Sequence, residues 1–185
     1  MPAALSKVPT LLLNCYTGDS ELSSGVPAEI TEDHTATEYL LNAGHRRRIG
    51  YVNGEPWQDA SRDRLKGYRM ALSTADLPFR RALVREGDWS SGSGFEQTLS
   101  LMRQPKPPTA IFCANDLMVL GAIEALKQLG LRVPEDVSVL GYDDQEIARH
   151  THPPLSTFVL SNYELGRWAV ETLLQEEHNR AAGAR

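Results

Sequence analysis

Short apolar runs in this sequence each end on a residue able to hydrogen-bond or stack. Asn14 follows TLLL, Asp88 and Trp89 follow ALVREG, Asn115 follows TAIFCA, and Asp143 and Asp144 follow VSVLGY. A further run, RRIGYV, opens into the loop NGEPWQDASRDR, which reaches Arg64. Amides and carboxylates accept hydroxyl hydrogens, a guanidinium donates to ring and hydroxyl oxygens, and an indole face lies against the C–H surface of a sugar. Together they form the inventory of a site for a polyhydroxylated ligand. Each residue also has a plainer reading. Asp116 is a helix cap, and Asp144 caps the short segment behind it. Asp143 is a turn residue or a ligand acceptor. Arg64 pairs with Asp59 or Asp63, or it faces the ligand. Trp89 fills the core, or it forms a floor for a ring.

The elements that must position these residues alternate along the chain. Strands are expected over 10–15, 47–54, 82–88, 109–114 and 137–144. Helices are expected over 33–44, capped by Asp33 and stopped by Gly44, and over 61–75, 93–104, 117–130 and 162–178, with Gly130 just past the end of the fourth. Strands that read apolar throughout, separated by helices, indicate an α/β fold with a parallel sheet flanked by helices. In such a sheet ligands bind beyond the carboxyl ends of the strands, where the residues named above fall. Helix 117–130 is apolar over most of its circumference. Its own sheet would cover one side, so a subunit partner is expected on the other, with segment 144–152 beside it.

With 185 residues, 41% hydrophobic, the chain can build a full core; its net charge of −5 describes no free-standing nucleic-acid binder. The one basic run, HRRR at 45–48, reads as a solvated strand entrance or a phosphate patch. Cys15 and Cys113 each close an apolar run and read as buried free thiols in a reducing, cytoplasmic setting. No apolar stretch is long enough for a membrane span, and HTH at 150–152 reads as a loop rather than a metal site. Catalytic signatures are missing: SGSG lacks the spacing of a nucleophile elbow, and the glycines match neither a P-loop nor GxGxxG. A helix start at Ser91–Ser93 can still hold an anion. The expectation is a binding protein with no cofactor, not an enzyme.

Four segments carry a resemblance to a known family: GHRRRIGYVNG (44–54), RDRLKGYRMAL (62–72), REGDWSSGSGF (85–95) and the long stretch from Pro108 to Asp144, followed by PPLSTF. Together they resemble the effector-binding region of lactose-repressor (LacI/GalR) family transcription regulators, over about residues 9–177. The resemblance implies a periplasmic-binding-protein-like fold of two α/β lobes with a ligand cleft, side-by-side homodimers, and operator DNA bound through a helix-turn-helix headpiece. It places residues 28–159 in the C-terminal lobe and 1–27 with 160–185 in remnants of the N-terminal lobe, and the headpiece outside this chain. It puts ligand contacts at Asn14, Arg64, Trp89, Asn115 and Asp143, with the loop from Gln58 to Ala60 adding variable ones. The ligand it implies is a galactoside or similar sugar. Asn14 stands where family members often carry Asp, and Leu160 where a Gln often occurs, which separates this chain from any inherited ligand identity. The alternatives are a sugar-binding component of a transport system, and an α/β enzyme using Asp143 and Asp144.

Overall fold

The computed structural model describes residues 8–16, 22–45 and 48–183; Arg46 and Arg47 of the basic run lie outside them. The chain divides into two compact units, one of residues 29–160 and one of 1–28 with 161–185.

The larger unit is built on five parallel strands: β3 (Ile49–Asn53), β4 (Val84–Glu86), β5 (Ala110–Cys113), β6 (Ser138–Asp143) and β7 (Thr157–Val159), in the order β4-β3-β5-β6-β7. Every residue of β3 and β5 is buried, as their uninterrupted apolar character requires for a sheet covered on both faces. The four strands expected between residues 47 and 144 are present with trimmed ends. β7 escaped the sequence reading because three residues give no periodicity.

Helices α1 (Glu29–Asn42), α2 (Asp59–Thr74), α3 (Ser91–Met102) and α4 (Asp116–Gln128) cover this sheet. Passing from β3 through α2 to β4 moves outward, whereas α3 and α4 connect strands running the other way across the sheet. Right-handed crossovers therefore put α2 on one face and α3 with α4 on the other. Gly94 and Gly121 let α3 and α4 touch: a Cβ on Gly121 would overlap the Ser91 carbonyl, and one on Gly94 the backbone of Met118. Helix α3 therefore supplies part of the second cover of α4, and Leu117 stays exposed on the side where a partner subunit is expected.

Helix α1 begins four residues earlier than expected. Pro27 precedes it, Glu29 and Glu32 occupy its first turn, and Asp33 is an interior residue rather than its cap. Asp33 is fully buried and accepts the Tyr51 hydroxyl at 2.5 Å. Gly44 and Gly130 follow α1 and α4 with φ of 101° and 73°, the left-handed geometry of a helix stop.

In the smaller unit β1 (Leu11–Leu13) pairs in parallel with β2 (Ser23–Gly25), and Gly25 lies beneath the Trp168 ring of α5 (Asn162–Gly183). β1 is only half-buried, and Cys15 beyond it is exposed, contrary to the expectation of a buried strand and thiol; Cys113 is buried.

Candidate functional site

In a doubly wound sheet the crevice opens where the strand order reverses, here between the carboxyl ends of β3 and β5. Arg64, on the second turn of α2, extends into that region and is only 4% exposed. Its Nε and Nη2 donate to Glu29 Oε2 and Oε1 at 2.5 and 3.1 Å, and its Nη1 donates to the carbonyl of Ala114. The expected partners Asp59 and Asp63 are not used; Asp59 pairs with Arg62. The guanidinium carbon sits 3.8 Å from the Tyr142 ring centroid and 5.6 Å from that of Trp89. Asp143 Oδ1 lies 3.9 Å from Nη1. Burial works against the charge on Arg64, but the bond to Glu29 and its negative charge outweigh it, and the guanidinium is held above its ordinary pKa.

Trp89 adopts φ 68°, a left-handed conformation that a bulky side chain rarely takes. Three local devices hold it there. Asn115 Nδ2 donates to the Trp89 carbonyl at 3.0 Å, and the Asp88 carboxylate accepts both the N–H and the hydroxyl of Ser90. Gly54 leaves space for the indole, since a Cβ there would overlap its six-membered ring. The indole Nε1 is buried, with no hydrogen-bond partner among the described residues. Orphaned buried donors cost about 1–3 kcal/mol, so the placement of this indole carries an energetic cost.

Asn115, and not Asp116, is the cap of α4: its Oδ1 accepts from Met118 N at 2.9 Å. The Asp116 carboxylate instead accepts from Gln145 N at 2.8 Å and the Thr157 hydroxyl at 2.6 Å, tying the loop after β6 to β7. Asp143 has φ 110°, and its Oδ2 accepts from Gln145 Nε2 at 3.0 Å. Burial pushes its carboxyl up to about 6, against the downward pull of Gln145 and Arg64. Asp144 caps nothing; it pairs with Arg149 at 3.0 Å, and Gln145 stands at the start of the following 3-10 turn.

Thus Arg64, Trp89, Asn115 and Asp143 come together at one end of the sheet. Gln58 precedes α2 and bonds Glu55 within its own loop at 3.0 Å, without capping the helix by its side chain. Asn14 belongs to the smaller unit, where it has φ 56° and its Nδ2 reaches Asn162 Oδ1 at 3.5 Å. Sequence reasoning missed Glu29, Tyr142 and Gln145. Glu29 was legible from Pro27 and the acids at 29 and 32, which mark a helix start. Tyr142 reads simply as an apolar strand residue, and Gln145 carries no local signal.

The fold and this end of the sheet define an α/β domain of the periplasmic-binding type, and residues 37–185 match the family described as "Periplasmic binding protein-like domain". The chain is 42% identical to the ribose operon repressor of Haemophilus influenzae over 146 residues, 79% of this chain and 44% of that protein. It is 40% identical to the HTH-type transcriptional repressor PurR of the same organism over 161 residues, 84% of this chain and 48% of that one. A sugar-binding transcriptional regulator of the LacI family from Escherichia coli, solved in complex with phosphate, superposes with a TM-score of 0.85 at 31% identity, covering 90% of this chain and 59% of that one. The chain belongs to the LacI/GalR family and carries its effector-binding region. It spans under half the length of both repressors.

Proposed function

We propose that this chain is the effector-binding and dimerising region of a sugar-responsive transcription regulator. The observation that carries the reading is the convergence of Arg64, Trp89 and Asp143. In it the indole stacks on the C–H face of the sugar, Asp143 accepts from hydroxyls, and Arg64 donates to an oxygen. Asn115 holds Trp89 and offers its second amide hydrogen. Asn14 and Gln58 are the further contacts that the family resemblance assigns. In this reading residues 28–159 are the C-terminal lobe, and 1–27 with 160–185 are parts of the N-terminal lobe. A ligand that prefers one conformation of the protein shifts the population toward it, and operator binding by a headpiece outside this chain follows.

The reading is one of binding, not catalysis: Asp143 and Asp144 turn to different partners, Gln145 and Arg149, and do not act as a carboxylate pair. The family relation supports a cytoplasmic setting and a homodimer through helix 117–130 and segment 144–152. Calorimetric titration with ribose, galactose and methyl galactoside tests the site. At least one sugar is expected to bind, and to lose roughly tenfold or more in affinity, about 1.4 kcal/mol, in Trp89→Ala and Asp143→Ala. Wild-type affinity in both variants overturns the assignment.

A further inference from the structure

The amino-terminal ends of β3, β4 and β5 frame a hollow, at the opposite end of the sheet from Arg64 and Asp143. It encloses about 320 Å³, within the range of small-molecule sites, roughly 300–1,000 Å³. Its wall is apolar, formed by Tyr68, Leu72, Leu77 and Leu83. The Tyr68 hydroxyl is committed to the carbonyl of Ile49 at 2.9 Å, so the ring is a surface and not a donor.

Arg48, Arg80 and Lys106 also line this hollow, and among the described residues no carboxylate does. That composition runs against a chain whose Asp and Glu outnumber its Lys and Arg by 24 to 19. Among the described residues none of the three cations lies within ion-pair distance of a carboxylate. Arg48 gives Nη2 to the neutral Gln104 Oε1 at 2.9 Å, and its Nε is buried with no partner among the described residues. His45 is already engaged, with its ring nitrogens 3.0 Å from the hydroxyls of Thr109 and Ser138, and burial holds its pKa below the ordinary value. Like charges gathered around a low-dielectric wall repel one another, and a bound anion relieves all three at once.

We propose that this hollow is a second ligand site, which takes a small ring-bearing organic anion, a carboxylate or a phosphate monoester. The ring lies against Tyr68 and Leu72, and the anionic head meets Arg48, Arg80 and Lys106. Arg48, the last residue of the basic run, supplies one of these cations.

Phenyl phosphate titrated into the intact chain at low salt tests this. One saturable site is expected, weakened at least roughly tenfold by Arg80→Gln and by Leu77→Glu, and weakened again as salt rises. Arg80 is exposed, so its replacement leaves the fold intact. The same variant should leave the sugar titration unchanged, so failure here is distinguishable from failure of the sugar site. Benzoate should compete with phenyl phosphate. The proposal is overturned if phenyl phosphate shows no saturable binding, if Arg80→Gln binds it within twofold of wild type, or if inorganic phosphate binds equally well.

Discussion

Glu29 grips Arg64 through two nitrogens, at 2.5 and 3.1 Å, with both side chains nearly withdrawn from solvent. The pair joins the first turn of α1 to α2 and aims the remaining guanidinium nitrogen at β5 and Asp143. Removing one partner of a buried ion pair strands the other charge, at a cost of about 3–5 kcal/mol. Glu29→Ala should therefore lower the urea unfolding free energy by that order. Glu29→Ala with Arg64→Met should cost clearly less than the sum of the single changes. Additive losses would mean that the two side chains are not energetically coupled.

Gly54 is the second lever on the site. A methyl group there would occupy the space of the Trp89 ring while leaving the residues of β3 unchanged. The indole must then turn away, and overpacking of this kind costs about 1–3 kcal/mol. Gly54→Ala should weaken sugar binding as far as Trp89→Ala does and shift the tryptophan emission spectrum. Unchanged emission together with wild-type affinity would show that the indole does not rest on this glycine.

Asp143 gives the site a pH dependence with a definite sign. Its folded carboxyl is raised to about 6, above the usual value of 3.8, so the folded protein holds that proton more tightly than the unfolded chain does. The stabilisation is fully present below about pH 4 and is lost as pH rises through about 6. Asp143→Asn removes this titration, while Asp33, Asp116 and Glu32, raised in the same direction, remain. Relative to wild type, the variant should gain stability as pH rises from about 4 to about 6 and hold that gain above, measured by urea unfolding. A constant difference across that range would place the Asp143 carboxyl near its ordinary pKa.

The parallel sheet was legible because β3, β5 and β6 are long and apolar, and their carboxyl ends expose Asn115 and Asp143 as a matter of topology. The partners that fix the geometry were not legible. Glu29 stands 35 residues before Arg64 and meets it only when α1 packs on α2. Asp116 and Asn115 are neighbours with similar cap propensity, and only the positions of Thr157 and Gln145 decide which one caps α4. The apolar excess of helix 117–130 was read correctly as a need for two covers, but Gly94 and Gly121, which let α3 supply part of the second, give no sign of pairing along the sequence.

What α3 and the sheet leave uncovered on α4 is narrow. Met118, Val119, Ala122, Ala125 and Leu126 are buried, whereas Leu117 remains 39% exposed, as are Leu129 at 43% and, in the turn after β6, Ile147 at 41%. Glu124 and Lys127 sit on the same helix as an exposed pair 3.8 Å apart. Exposed apolar residues beside charged ones match the core and rim of an interface. Charges at the apolar positions should break such a contact without disturbing a fold whose inner face they do not touch. Leu117→Glu with Ile147→Glu is expected to weaken dimerisation at least roughly tenfold in sedimentation equilibrium, with the thermal midpoint of the isolated protomer unchanged. A wild-type chain that sediments as a monomer at high concentration, or a double variant that dimerises as tightly, would rule out this surface as the interface.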